Sequence, residues 1–200
     1  MKIANFLSSG PKLLAGSAPT SGKLVAFDVP IQEAANWCWA AVGLGVANFY
    51  GSSNWTQCTL AGTILSKQCC GSPTPSVCDV YGSLDASLTT VGHLVRREDN
   101  PIAFTAVQTE IGAKRPLGAR IEWSGGSGAH FVALGGWKLM SDGTEFVEVY
   151  DPLFKFTSLP YNQFVSGYRS NGDAWRNSYF THPSPPVVAG ARAAAAPTNA

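Results

Sequence analysis

The chain has 200 residues, of which 45% are apolar and 14% charged, with a net charge of +1. That length suits one domain with material for a sizeable core, and the near-neutral balance excludes the electrostatic footprint of a nucleic-acid binder or of a protein held to anionic membranes by charge. No apolar run is long enough to cross a bilayer, and 21 glycines with 13 prolines favour a loop-rich α+β domain over a helical bundle.

Residues 1–22 are rich in Ser, Gly, Pro and Ala without periodicity and read as a flexible leader. The apolar residues after Lys2 stop at Ser8-Ser9-Gly10-Pro11 before an h-region forms, so a recognisable Sec signal peptide is absent or already removed. Lys23–Pro30 reads as a short strand. Next, Trp37, Trp39, Val42, Val46, Phe49 and Tyr50 recur at helical spacing, with Asn36 as N-cap and Gly51 as stop. A second helix is expected from Asn54 or Trp55 to Leu65, a third from Ser83 to Thr90 with Ser83 as cap, and a fourth from Thr105 to Ala113. His93 precedes Leu94-Val95-Arg96-Arg97, which reads as a surface segment.

Pro116 marks a change of character. Strands are expected at Leu117–Trp123, Ala129–Met140 and Glu145–Tyr150, with a glycine loop at 124–128 and a hairpin turn at 141–144. A helical turn at Tyr161–Phe164 and a strand at Ala174–Thr181 follow, and residues 183–200 form a Pro/Ala-rich tail expected to be disordered. The folded domain is therefore expected over 23–182, helices first and antiparallel sheet after.

Cys58, Cys69, Cys70 and Cys78 crowd a segment without periodicity, and an even number of cysteines there points to two disulfides and an oxidising destination. Adjacent Cys69 and Cys70 are expected to take different partners, leaving Cys38 free. No C-x₂-C pair is present, so a zinc site is not expected, nor any other metal or cofactor. The glycine loop lacks the Lys-Ser/Thr of a phosphate loop and fails G-x-S-x-G, and most of the six tryptophans lie on elements that need core.

Chemistry concentrates on Cys38. At the first turn of a helix, unpaired N–H groups and the positive end of the helix dipole stabilise a thiolate, which is the nucleophilic form. Gln32, six positions earlier, can fold back as an oxyanion donor beside the Cys38 backbone N–H. A cysteine nucleophile needs a base, and His130 opens a strand directly after the glycine loop, whereas His182 sits at the edge of the tail. Asp151 ends the strand that pairs back on the histidine strand and is placed to orient the imidazole. With the turn centred between Asp142 and Gly143, position 130 faces about position 155, and a bulge at Gly135-Gly136 is expected to bring Asp151 into step with His130.

The Gln32…Cys38-Trp39-Ala40 spacing, Gly128-Ala129-His130-Phe131-Val132 and Asp151, in this order, resemble the papain-like cysteine peptidases, most closely bacterial secreted members of the AvrRpt type. The resemblance covers about residues 25–182 and implies a papain-like α+β fold, a helical half carrying Cys38 packed on a sheet half carrying His130 and Asp151. It implies a secreted or translocated cysteine endopeptidase, an effector or toxin, acting as a monomer on a protein or peptide substrate. In that family an Asp is accepted in the third position and a Cys-rich insertion follows the first helix. The sequence departs from the family in lacking a recognisable pro-segment or self-processing sequence. The same residues would serve an amidase of cell-wall or leader peptides or an acyltransferase of transglutaminase type, and a degenerate copy would be a peptide-binding domain.

Overall fold

The computed structural model describes residues 18–183 apart from 53 and 127. The leader expected at 1–22 and the tail expected at 183–200 thus fall largely outside the described residues. In chain order the elements are β1 (Thr20–Lys23), α1 (Cys38–Phe49), α2 (Gln57–Leu65), α3 (Leu84–Thr90), β2 (Leu94–Glu98), α4 (Phe104–Gly112), β3 (Leu117–Glu122), β4 (Ala129–Leu139), β5 (Glu145–Asp151), β6 (Lys155–Pro160), α5 (Tyr161–Ser166) and β7 (Ala174–Thr181). The molecule is the expected α+β arrangement, with α1 and α3 packed on an antiparallel sheet ordered β2-β7-β3-β4-β5-β6 and α2 packed on those two helices.

Two local expectations are corrected, and two strands are added. Thr20–Lys23, assigned above mostly to the leader, is a strand paired with Leu139–Gly136, taking over the edge of β4 where β3 leaves it at Leu134. The strand expected at Lys23–Pro30 is irregular beyond Lys23; Leu24 still donates its backbone N–H to Gly135 O, and Leu24, Phe27 and Val29 are buried at irregular spacing in the core. The segment after His93 is an edge strand, and β6 is a further strand that periodicity did not reveal, because both expose most of their side chains.

α1 is not amphipathic in the simple sense, since every residue from Cys38 to Ala47 is buried. Small residues make this possible. A Cβ on Gly43 would meet the Ser87 hydroxyl of α3 at 1.9 Å, so glycine is what lets the two helices touch. The tryptophans at the start of α1, Trp37 and Trp39, are fully enclosed, and each side chain of this size contributes roughly 1.5–3 kcal/mol or more through removal from water. α2 starts at Gln57, later than expected, because Thr56 and Thr59 bond each other's backbone N–H reciprocally and fix the boundary.

Two disulfides, Cys58–Cys70 and Cys69–Cys78, brace the segment between α2 and α3, and Cys38 is free. Alkylation of unreduced, folded protein is therefore expected to label one cysteine, identified by peptide mass as Cys38. Five labelled thiols in protein prepared under oxidising conditions would remove both bridges from this description.

The β4–β5 hairpin sets the geometry that follows. Its turn centres on Asp142, with Leu139 opposite Glu145, and that register alone would turn Asp151 away from the face that carries His130. The expected bulge is present: the pairing shifts between Leu134 and Gly136, leaving Gly135 as the extra residue. Beyond it Ala133 faces Tyr150, so Asp151 stands opposite Val132 and on the same face as His130. A Cβ on Gly135 would lie 2.5 Å from Phe27 and 2.6 Å from Tyr150, so the bulge is held closed by aromatic packing.

Candidate active site

Cys38 is the first residue of α1. The residue before the helix, Trp37, places no side-chain hydrogen bond on the helix start, so the first N–H groups are not consumed by a cap. Asn36, expected above as the cap, is turned away: its backbone N–H and side-chain amide donate to the Asp79 carboxylate at 2.8 and 3.1 Å. The Cys38 side chain looks into a cleft of about 210 Å³ lined also by Trp39, Tyr81 and Gly82 on the helical side and by Arg120 and Phe131 on the sheet. A larger hollow of about 480 Å³ lies beside the disulfides, away from these groups.

Across the cleft, β4 brings His130 close enough to Cys38 for the thiol to act on the imidazole electrostatically. The imidazole Nε2 lies 2.8 Å from Asp151 Oδ1. An ionised carboxylate only accepts, so Nε2 carries the proton and Nδ1 is left for the thiol. The same Asp151 Oδ1 accepts from the backbone N–H of Leu153 at 2.7 Å and of Phe154 at 2.9 Å. Turn formation before Pro152 and orientation of the histidine are thus one arrangement. The other carboxylate oxygen accepts from the Tyr168 hydroxyl at 2.7 Å.

Electrostatics follow from these contacts. Burial alone pulls His130 down, but the hydrogen bonds and charges of Asp151 and Cys38 outweigh it and raise its pKa from 6.5 to about 9. Burial pushes Asp151 up, and this is outweighed by the His130 hydrogen bond and charge and by the two backbone N–H groups, so its carboxyl sits below the usual range. Burial, then the neighbouring carboxylate, pushes the Tyr168 phenol far up, keeping it a donor. Trp123 stacks on the imidazole at 5.5 Å with planes 16° apart, and Phe154 meets it edge-on at 6.2 Å. These rings wall the histidine from solvent, leaving its side chain 5% exposed.

Gln32 has the expected place in the loop before α1, and its backbone N–H donates to Pro152 O beside Asp151. Its side-chain amide donates to the carbonyls of Ala34 and Ala35 at 2.9 and 2.6 Å, while Oε1 is buried without a partner. In this arrangement the amide braces the loop that leads into α1.

His93 is not at a surface. It is 1% exposed, with Nε2 3.1 Å from the Ser52 hydroxyl and Nδ1 2.9 Å from the His182 carbonyl, and it joins the end of α1 to the end of β7, away from the cleft. Tyr168, Trp123, Phe154 and Asp79 were not singled out by sequence. Trp123 alone had a legible cue, as an aromatic at the end of a strand beside the glycine loop that precedes His130.

The chain matches the family model described as papain-like cysteine protease AvrRpt2 over residues 23–169. No curated protein matches it. With that match spanning most of the chain, and with helix and sheet meeting at Cys38 and His130, the chain belongs to the AvrRpt2 family of papain-like cysteine proteases.

Proposed function

We propose that this cysteine protease is an endopeptidase that hydrolyses a protein substrate through Cys38, His130 and Asp151. The observation that carries the reading is His130, close enough to Cys38 to feel its charge and held at 2.8 Å by a buried, turn-anchored Asp151. The Cys38 sulfur, as thiolate, attacks the scissile carbonyl while the imidazolium of His130 stands beside it as counter-ion. The tetrahedral oxyanion forms at the uncapped start of α1, where the Cys38 backbone N–H is available to it. His130 then protonates the leaving amine from Nδ1, with Nε2 held on Asp151. Water, deprotonated by the now neutral imidazole, attacks the acyl-enzyme and releases the acid.

Gln32 completes the oxyanion hole in this reading by exchanging one loop carbonyl for the developing oxyanion. Gln32→Ala is accordingly expected to lower kcat by on the order of 10²-fold, the cost of one oxyanion donor. Alkylation of Cys38 should stay close to wild type, because the donor acts after the thiolate is formed. A lowered melting temperature with unchanged kcat would instead leave Gln32 as a brace for the Ala34–Ala35 loop.

Export as an effector or toxin is part of the proposal and is supported by the commitment of four cysteines to two disulfides. Among the described residues no helix is long and apolar enough to cross a membrane. The protein is proposed to act as a monomer, since both halves of the cleft come from one chain. The test is a cleavage profile on denatured protein and on a peptide library, run beside Cys38→Ala. Protein substrates left intact under conditions where a small amide or acyl acceptor is turned over would overturn the endopeptidase reading in favour of an amidase or acyltransferase.

A further inference from the structure

The start of α1 has no side-chain cap of its own, yet it must hold the Cys38 sulfur against His130. What holds it is a segment about forty residues further along the chain. Asn36 donates from its backbone to Asp79 Oδ1 at 2.8 Å and from its side chain to Asp79 Oδ1 and O at 3.1 Å each. The Trp37 indole donates to Cys78 O at 2.7 Å, and the Trp39 indole to Val80 O at 3.3 Å. Residues on both sides of the nucleophile are thus bonded to one short segment, Asn36 to Asp79, Trp37 to Cys78 and Trp39 to Val80.

That segment is itself fixed. Cys78 is fully buried and tied to buried Cys69 by a disulfide, and Lys67 donates its ammonium to Val77 O at 3.0 Å. On the other side Gly82 lies so close to the Trp39 indole that a Cβ there would fall 2.3 Å from the ring. Tyr81 and Gly82 then continue directly into the wall of the cleft that holds Cys38. A displacement of residues 78–80 therefore pulls on the helix start through three hydrogen-bonded partners.

We propose that Asp79 is a positioning residue for the nucleophile, acting through Asn36, and that the Cys69–Cys78 disulfide holds Asp79 where it does this. The proposal rests on Cys38 being the nucleophile of the reading above. Within residues 78–80 only Asp79 binds with its side chain as well as its backbone carbonyl, so it is the anchor that a side-chain substitution weakens. It also accepts two N–H groups on one oxygen, which Asn can still do and Ala cannot. The disulfide matters because Asp79 follows Cys78 directly. Cleaving the bridge with a dithiol, which becomes a cyclic disulfide as both protein thiols take up protons, frees the segment while leaving Asp79 in the sequence.

The test compares Asp79→Ala, Asp79→Asn and the double variant Cys69→Ser with Cys78→Ser, using peptide cleavage and the pH profile of Cys38 alkylation by iodoacetamide. For Asp79→Ala, kcat is expected to fall by on the order of 10²-fold with little change in KM, the cost of misplacing a reacting group by about 1 Å. Its alkylation at neutral pH should slow and its pH profile should depart from wild type, because the sulfur is no longer held beside His130. Asp79→Asn should recover most of the lost kcat and the wild-type profile. The double serine variant should reproduce the Asp79→Ala profile. A merely structural role would lower the melting temperature of Asp79→Ala and leave its alkylation profile in place, which would overturn the proposal. Equal losses in the Ala and Asn variants would do the same, since the shared acceptor would then be irrelevant. If the wild type cleaves no protein at all, the endopeptidase reading fails alone, because the alkylation profiles still decide whether Asp79 positions Cys38.

Discussion

Cys38→Ala is expected to reduce cleavage of a denatured protein substrate to background, a loss on the order of 10⁴-fold or more, with the fold intact. The sulfur is the only nucleophile in the line that runs through His130 to Asp151, and no other free cysteine stands among the described residues. The variant should fold because alanine is a strong helix former at the first position of α1, where its neighbours Ala40 and Ala41 are already buried. Only one small group is lost from a site whose packing comes from Trp37 and Trp39. Time-resolved gel analysis beside circular dichroism checks both halves of the expectation. Undiminished cleavage by a folded Cys38→Ala protein would end the assignment of the nucleophile.

Asp151→Ala has the next largest expected effect, on the order of 10³- to 10⁴-fold in kcat, comparable with loss of the orienting carboxylate from a hydrolase triad. Three donors converge on one buried oxygen, and a fourth, the Tyr168 hydroxyl, occupies the other. Alanine leaves all four unpaired and frees the imidazole to turn. Asp151→Asn should lose far less, because its oxygen can still accept from His130 and the backbone while Tyr168 rotates its hydroxyl to accept from the new amide. The two variants also separate in pH dependence. His130 is raised in the folded protein, so the stability it gains from Asp151 and Cys38 is fully present below the unfolded value of 6.5 and is lost as pH rises through about 9. Wild-type melting temperature should therefore decline across that interval, and activity should fall on the alkaline side of about pH 9 as the imidazolium is lost. In Asp151→Ala both features should be shifted to lower pH. An alkaline limb unmoved in that variant would show that another group titrates there.

Much of the site could be read from residue types at given spacings, because its chemistry is carried by side chains whose neighbours in sequence are informative. Cys38 follows a loop and opens a helix, His130 follows a glycine loop, and Asp151 precedes Pro152. The bulge was legible for a similar reason, since paired glycines in a strand have few other uses. What could not be read depends on contacts between distant segments. Tyr168 and Asp79 act on partners far away in the chain, and nothing beside them in sequence marks their role. Asn36 has every property of an N-cap, but the acceptor offered by Asp79 outcompetes that use of its side chain. β2 and β6 escaped because edge strands with exposed side chains carry no alternation to detect. His93 was misplaced because its charged successors face solvent on β2 while the imidazole itself points inward.

The single extra residue at Gly135 also makes catalytic competence a record of how the chain folded. A hairpin that closes without it keeps nearly all its ladder bonds and its turn, yet presents Asp151 to the side of the sheet opposite His130. Such a molecule would also turn Val149 and Tyr150 to the wrong faces, and its His130 would lack the carboxylate that orients it. Turnover per mole of refolded protein, set beside that of Asp151→Ala, therefore reports the share of chains that chose the correct register and becomes a measure of folding fidelity at one glycine.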